Sequence, residues 1–175
     1  MIANYPDIFI SDNLKTINKE NNDLPPFLGC LIADKDGKTL LKFEIFSGAL
    51  DFYLKKPNAA PFDLDLIPMF LSAFERFSEQ INFESMAGLN LEASNLKMQS
   101  FFYFNKFTIT FFVNPRTNMN LFERTMKQYF TILFEEQEHL FENFYKRGTA
   151  LTVSRLEREG AQWLNALNKN LLVLK

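Results

Sequence analysis

The 175-residue chain is poor in the residues from which many protein sites are built, with one cysteine, one histidine, one tryptophan and six glycines. A single cysteine excludes an internal disulfide framework and is typical of a reducing compartment. A zinc site needs several cysteine or histidine ligands, but Cys30 and His139 fall in separate predicted elements. We therefore predict no metal site and no cofactor, with Cys30 a buried structural thiol and His139 a solvated helix position.

Complete catalytic motifs are missing as well. Gly37-Lys38-Thr39 resembles the end of a phosphate-binding loop, but Ile32 stands where that motif needs its first glycine, and no GxGxxG is present. Ser94 and Lys97 have the spacing of a serine–lysine hydrolase motif, yet they lie in a predicted turn and lack its partner motifs. These absences predict no catalytic residues and a protein that is not an enzyme.

Strong charge and long apolar runs are absent too. The net charge of -2 argues against a dedicated nucleic-acid-binding protein, which usually has a large basic excess. Asn105, Lys106 and threonines interrupt the most apolar stretch, 101–113, which is shorter than the roughly 20 residues of a membrane span. The start of the chain lacks the basic and apolar segments of a signal peptide. We expect a soluble, cytoplasmic protein.

Phenylalanine is the abundant residue, with 21 copies in a chain that is 47% hydrophobic. Such bulky side chains without polar atoms need layers of structure to cover them. Any that stay uncovered would form an adhesive surface. The composition therefore predicts a layered globular domain.

The first predicted element is a β-hairpin. Two apolar runs, 27–33 and 39–46, flank the stretch 34–38, whose aspartates and glycine are typical of a turn. Lys42 and Glu44 separate apolar residues in the second strand. This alternation predicts one wet face, as expected at a sheet edge.

A helix follows, beginning near Asp63 or Asp65, either of which could cap it, and tolerating Pro68 in its first turn. Its apolar residues recur at helical spacing. They are Leu66, Ile67, Phe70, Leu71, Phe74, Phe77 and Ile81.

Three strands come next, at 89–92, 96–104 and 107–113. The last two are apolar on successive residues, and strand side chains point alternately to opposite faces. Both faces of the sheet must therefore be covered, which requires helices on each side.

The rest of the chain supplies those helices. Asn120 and Glu123 resemble a capping box for a helix that runs through Phe144, with Gly148 as its stop. The apolar stripe of a last helix consists of Leu156, Trp163, Leu164, Leu167 and Leu171; Gly160 interrupts it, as a close helix approach or as a weak turn.

The order β-β-α-β-β-β-α-α predicts an α/β (α+β) domain with one five-stranded antiparallel sheet between helical layers. We assign it to residues 26–175, with residues 1–25 as an N-terminal extension.

This order resembles the longin domain, and the roadblock domain shares most of it. The stretch 31–40 (LIADKDGKTL) looks like the first hairpin of these families, and 70–77 (FLSAFERF) looks like their first internal helix. The segments 129–146 and 157–160 are similar to the paired C-terminal helices of small longin-type adaptor subunits.

The resemblance implies a non-enzymatic scaffold that pairs with itself or a relative. It also implies binding or regulation of a small GTPase at membranes or in vesicle-trafficking machinery. By analogy, the pairing surface would be the edge strand with Leu89 and Leu91, together with the helix around Phe74 and Phe77. The expected assembly is a homodimer or heterodimer.

Two further interpretations stay open. Lys146, Arg147, Arg155 and Arg158 form a basic patch that could meet an acidic partner or the surface of an anionic membrane, although helix-end capping and ordinary surface charge also explain it. The alternative function is a small-molecule sensor, because a sheet of this size with helical cover can enclose an apolar pocket.

Overall fold

All five strands of the chain join one antiparallel sheet in the order β2-β1-β5-β4-β3. The computed structural model describes residues 24–54, 63–81, 88–93, 95–103, 106–147 and 149–173. The strands are β1 (Phe27–Asp34), β2 (Thr39–Glu44), β3 (Gly88–Glu92), β4 (Lys97–Tyr103) and β5 (Phe107–Val113). The predicted fold class, with one five-stranded antiparallel sheet, is confirmed.

Helices cover both faces of this sheet, as the apolar strands require. They are α1 (Ala49–Leu54), α2 (Leu66–Gln80), α3 (Glu123–Glu136), α4 (Glu138–Glu142), α5 (Phe144–Arg147) and α6 (Ala150–Val173), with a 3-10 turn at Met119–Leu121. The short helix α1 was not predicted. Among the described helices, none has both the length and the apolar character needed to cross a membrane.

Each face of the sheet has its own core. On the α6 face, Phe27, Phe43 and Phe111 pack against residues of α3, α4 and α6. On the α2 face, Leu28 and Phe112 pack against residues of α1 and α2. Phe111 and Phe112 are neighbours in β5 and both are fully buried, because successive strand side chains enter opposite cores.

Helix α6 covers the β2 edge of the sheet. The Glu157 carboxylate accepts a hydrogen bond from the backbone N–H of Lys42 (2.9 Å), and the Asn165 amide donates to the carbonyl of Ile45 (3.0 Å). A Cβ at Gly160 would lie 2.3 Å from the Phe43 ring. Gly160 therefore permits a close approach of the helix, one of the two interpretations that the sequence allowed.

The start of β1 is also attached to α6. The buried Asn168 amide accepts a hydrogen bond from the N–H of Phe27 (2.8 Å) and donates one to its carbonyl (2.9 Å). One side chain thus continues the hydrogen-bond ladder where the strand would otherwise leave two buried groups unpaired.

The predicted wet face of β2 is wrong for Glu44, which is buried. Its carboxylate accepts hydrogen bonds from the backbone N–H groups of Gly48 (3.1 Å) and Leu50 (2.9 Å), and the Lys42 ammonium lies 3.3 Å away. These bonds satisfy the free N–H groups at the start of α1. The alternation in the sequence could not reveal this, because the partners belong to a helix that it did not predict.

The predicted capping of α3 and α2 also needs correction. Phe122 occupies the N-cap position of α3 and makes no side-chain cap, while the side chain of Asn118 caps the preceding 3-10 turn. Asp65 is the N-cap residue of α2, as one of the two alternatives had it, but its side chain makes no capping bond.

The predicted single helix from Asn120 to Phe144 is broken at Gln137 and Asn143, the N- and C-cap residues of α4. In a straight helix, residues seven apart are separated by about 10 Å along the axis. The breaks instead bring the rings of Phe134 and Phe141 to within 4.8 Å, with Phe107 stacked on Phe134 at 4.6 Å. Aromatic packing around β5 thus overrides helix continuity. The predicted stop at Gly148 lies outside the described residues.

Candidate protein-interaction surface

The predicted pairing strand, β3, lies at the end of the sheet opposite β2. It pairs with β4 from Gly88 to Glu92. In an antiparallel pair, alternate residues of an edge strand direct their N–H and C=O groups away from the sheet. These outward groups can pair with a strand of another protein.

The side chains of β3 connect this edge to α2. Leu89 is half-buried against the core of the α2 face, which also contains Ile67 and Leu71. Leu91, two residues further along the same face, is 40% exposed. Because Leu89 and α2 share one core, the Leu89 side chain and the helix lie on the same face of the sheet.

Helix α2 presents a second apolar side to solvent. Ile67 and Leu71 are buried, whereas five large apolar side chains of the helix and its C-terminal end are 53–55% exposed. We call these five the α2 apolar face: Leu66, Met69, Phe70, Phe77 and Ile81. Exposed apolar residues concentrated on one helix are typical of an interaction site.

The predicted residues Phe74 and Phe77 occupy different positions on this helix. Phe77 belongs to the α2 apolar face, while Phe74 is half-buried and stacks on Phe70, with ring centroids 6.2 Å apart. The prediction did not single out Met69 and Phe70 as surface residues. Helical spacing shows that residues share a stripe, but the width of the stripe that the sheet covers depends on how the helix lies across it.

The polar flank of α2 carries Glu75, Arg76 and Glu79. Burial and then the negative charge of Glu79 raise the pKa of Glu75, while Arg76 lowers it. Arg76 also forms an ion pair with Asp36 in the turn between β1 and β2. The charged groups thus lie beside the apolar face.

The turn between β1 and β2 connects α2 to the other helical layer. Ser72 donates a hydrogen bond to the carbonyl of Lys35 (2.6 Å), and a Cβ at Gly37 would lie 2.6 Å from the Cα of Met69. On its other side, the Tyr145 hydroxyl donates to Asp34 (2.5 Å). Burial, this hydrogen bond and nearby carboxylates raise the pKa of Tyr145. No sequence pattern indicated these long-range contacts.

An open cavity of about 480 Å³ lies on the α6 face, between α3 and the strands β3 and β4. Its volume is within the range of small-molecule sites. The apolar part of its lining includes Phe101, Ile109, Phe111, Met126 and Phe130, and Glu123 and Lys127 are among its charged residues.

The residues of the predicted basic patch lie at the corner between α5 and α6. Lys146, Arg155 and Arg158 are exposed, and Arg155 is 3.9 Å from Glu159. The helix α5 contains Arg147 as its last residue, but the structure describes only its backbone.

The residues considered for catalysis do not form a cluster in the described structure. His139 is exposed on α4, as predicted. Cys30 is fully buried, also as predicted, and burial raises its pKa. Ser94 lies outside the described residues. In the part of the chain that the structure covers, no three His, Cys, Asp or Glu residues are placed to hold a metal ion.

No protein-family model matches the sequence, and no curated protein matches it. Among solved structures, the gliding protein MglB from Thermus thermophilus is 10% identical, with 58% of this chain and 71% of that chain covered and a TM-score of 0.40. MglB from Myxococcus xanthus is 12% identical, with 65% and 79% covered and a TM-score of 0.46. An MglB structure with a tetrameric arrangement is 10% identical, with 63% and 76% covered and a TM-score of 0.42.

Such remote similarity carries no argument about partners. The fold assignment depends on the chain's own architecture, a five-stranded antiparallel sheet with helices on both faces. This is the sheet, covered by helices on both faces, that the sequence predicted.

Proposed function

We propose that this chain is a non-enzymatic interaction scaffold that pairs with a second protein through the α2 apolar face and the β3 edge. Two observations carry this proposal: five half-exposed apolar side chains on α2, and an edge strand whose Leu89 packs into the core that α2 covers. Strand addition supplies backbone hydrogen bonds, and the apolar face supplies buried area.

The size of the surface supports the proposal. Each of the five side chains exposes roughly 100 Å², so together they expose about 500 Å², which is near the upper end for the largest apolar patch of a monomer. A partner that covers them would contribute the apolar centre of an interface of ordinary size.

The partner class comes from the sequence resemblance. Longin and roadblock domains commonly pair and then bind or regulate small GTPases, so we propose that the paired scaffold serves a small GTPase of a trafficking-type complex. A cytoplasmic location, with peripheral contact at a membrane surface, is part of the same proposal. The single, buried Cys30 is compatible with a reducing compartment.

Pairing can be tested with two matched substitutions. Phe77 on α2 and Ile132 on α3 are both 53% exposed, so replacing either with Glu changes a similar surface. Phe77→Glu should reduce association at least tenfold in sedimentation equilibrium, or in titration with the partner if the complex is heteromeric. Ile132→Glu should leave it unchanged. Equal effects of the two substitutions would contradict the assignment of the surface.

The GTPase part needs a separate measurement. The purified chain should bind small GTPases of the same organism, each loaded with GDP or with a GTP analogue. Binding to one nucleotide state, weakened by Phe77→Glu or by disruption of the pair, would support a regulatory scaffold. No binding in either state would remove the GTPase proposal and leave the pairing surface intact.

The cavity between α3 and the strands β3 and β4 favours one alternative, a sensor of a small apolar molecule. Phe101 and Phe130 contribute rings to its lining. Native mass spectra of the purified chain should then show a bound molecule that Phe101→Trp displaces by filling the space. Spectra of the unmodified chain without any added mass, after gentle desolvation, would contradict this alternative.

A further inference from the structure

Helix α6 has a long outer side that faces away from the sheet. Its inner side buries Leu156, Gly160, Leu164 and Leu167. The opposite side, at spacings of three, four and seven residues, is exposed throughout. We call this side the α6 outer stripe: Leu151, Arg155, Arg158, Gln162 and Lys169.

The outer stripe is positively charged although the whole chain is slightly acidic. It holds three cations and no carboxylate. The two acidic residues of the same helical turns lie elsewhere, since Glu157 bonds to the backbone of β2 and Glu159 flanks the stripe beside Arg155. Arg158 and Lys169 form no ion pair within the described residues.

The start of α6 adds cations and apolar groups to this surface. Lys146 is exposed on α5, and the Lys38 ammonium lies 3.8 Å from the centroid of the Tyr145 ring. Tyr145 is 58% exposed and Leu151 is 82% exposed, the highest exposure among the large apolar residues of the described chain. Leu151 is therefore the side chain of this surface that can enter a lipid headgroup region, because the Tyr145 hydroxyl is bonded to Asp34.

We propose that the α6 outer stripe and the adjoining α5 corner form a docking surface for an anionic lipid membrane. The stripe from Leu151 to Lys169 is about 27 Å long, at 1.5 Å per residue. Cations spread along a straight exposed helix match the diffuse negative charge of a lipid surface, where each contributes about a fivefold gain in binding.

Two features favour a membrane over a soluble acidic protein. Leu151 is exposed at the same end of α6 as Arg155 and Arg158, and shallow insertion of such a side chain strengthens electrostatic binding to a bilayer. Arg155, Arg158 and Lys169 also lie along the exposed side of one 24-residue helix, an extended arrangement that selects no particular partner shape. The combination predicts weak, reversible and salt-sensitive binding.

The position of the stripe has a consequence for assembly. Helix α6 lies on one face of the sheet and α2 on the other. A membrane against the outer stripe would leave the α2 apolar face open to a protein partner. Membrane docking and pairing can therefore be measured independently.

The test is co-sedimentation of the full chain with vesicles of phosphatidylcholine alone or of a two-to-one mixture of phosphatidylcholine and phosphatidylserine. We expect binding only to the mixed vesicles, and less of it as salt shortens the screening length from about 30 Å at 0.01 M to about 8 Å at 0.15 M. The double substitution Arg155→Glu with Arg158→Glu should weaken binding at least tenfold.

Three further variants make the result specific. Arg158→Glu alone should weaken binding severalfold, whereas Arg76→Glu, which changes the net charge equally on the opposite face, should leave it unchanged. Leu151→Ser should also weaken binding severalfold, with an unaltered dependence on salt. Circular dichroism checks that each variant is folded.

Several outcomes would overturn the proposal. Failure of the wild-type chain to bind the mixed vesicles at low salt would do so. Equal losses of vesicle binding from Arg158→Glu and Arg76→Glu would do so as well. Binding to soluble polyaspartate that matches binding to vesicles and does not depend on Leu151 would assign the stripe to an acidic protein instead.

Discussion

The two edge strands of the sheet, β2 and β3, differ in how far the rest of the described chain covers them. Side chains of α6 bond to the backbone of β2 and of the residue that follows it, through Glu157 to Lys42 and through Asn165 to Ile45. At the other edge, the described residues place no comparable helix against β3, whose Leu91 is 40% exposed. Among the residues that the structure describes, one edge is completed by α6 and the other is left without such cover.

The two edges differ in whether a helix protects the strand from pairing with other chains. An unpaired strand edge invites pairing with other chains, so proteins usually cover or charge it. Here one helix serves that purpose at β2, while Leu89 of β3 packs into the same core as α2, a helix whose other side is apolar and exposed. A protein that pairs through a single surface would cover one edge in this way and leave the other able to bind a strand of its partner.

Among the variants that test the difference between the two edges, the largest loss of stability should come from one that separates α6 from β2. Alanine is normally the better helix former, so Gly160→Ala on an open helix would stabilise the protein. Because the new Cβ would lie 2.3 Å from the Phe43 ring, we expect a loss of about 3 kcal/mol in the free energy of unfolding by chemical denaturation.

Two variants make this result specific. Gln162→Ala on the outer side of α6 should change stability little, and Phe43→Leu in the Gly160→Ala background should recover part of the loss. A stabilised Gly160→Ala variant would show that the close helix approach does not exist.

A smaller loss should follow from removing the attachment of α6 to β1. Asn168→Ala would leave the buried N–H and C=O groups of Phe27 without partners, which should cost about 2 kcal/mol. Hydrogen exchange at the Phe27 amide should accelerate as well. Asn170→Ala, on an exposed position of the same helix, is the control. Similar losses from both substitutions would contradict the role of Asn168.

Opening the β2 edge itself should be less costly. Glu157→Ala removes the acceptor for the N–H of Lys42, so we expect a loss of about 1 kcal/mol and faster exchange of that amide. Glu159→Ala, on the neighbouring surface, should do neither. If the Lys42 amide exchanges at the same rate in both variants, the edge is not protected by Glu157.

Adding a charge to β3 should weaken association and hardly change the free energy of unfolding. Leu91→Lys places a charge on the open edge, a device by which natural sheets prevent strand addition. The free energy of unfolding of the monomer should change by less than about 0.5 kcal/mol, while association measured by sedimentation should fall severalfold. A large loss of stability with unchanged association would mean that β3 contributes to the stability of the monomer and not to pairing.

The smallest effect concerns the polar flank of the open side. Burial raises the pKa of Glu75 in the folded chain, so the folded state holds its proton more tightly than the unfolded state. Stability is then lost as the pH rises from the ordinary pKa of glutamate through the raised value. Glu75→Gln should be slightly more stable than wild type at pH 7 and equal to it well below pH 4. Parallel pH profiles of wild type and Glu75→Gln would contradict this expectation.

The sequence predicted the parts of the fold that depend on local periodicity. The two-sided apolar pattern of β5 correctly required helices on both faces, and the spacing in α2 correctly placed a helix there. Glu44 shows the limit of this reasoning, because a carboxylate in an alternating strand looks solvated until the helix that it caps is known. The breaks at Gln137 and Asn143 likewise depend on aromatic contacts with β5 that no local pattern contains.

The candidate surface was predictable only in outline. The resemblance to longin and roadblock domains implied that the strand with Leu89 and Leu91 lies at an edge, and Leu91 and Phe77 are indeed exposed. Met69 and Phe70 were missed as surface residues, since the tilt of α2 over the sheet decides which apolar residues stay uncovered. The attachments through Asn168 and Glu157 join residues more than a hundred positions apart.

Trp163, the one tryptophan of the chain, stacks almost parallel on Tyr129 at 4.0 Å. It also lies 5.7 Å from Phe130 and 6.3 Å from Phe111. Its fluorescence therefore originates from a single place, the junction of α3, α6 and the sheet. Changes in emission wavelength and in tyrosine-to-tryptophan energy transfer would follow the opening of that layer separately from events at α2.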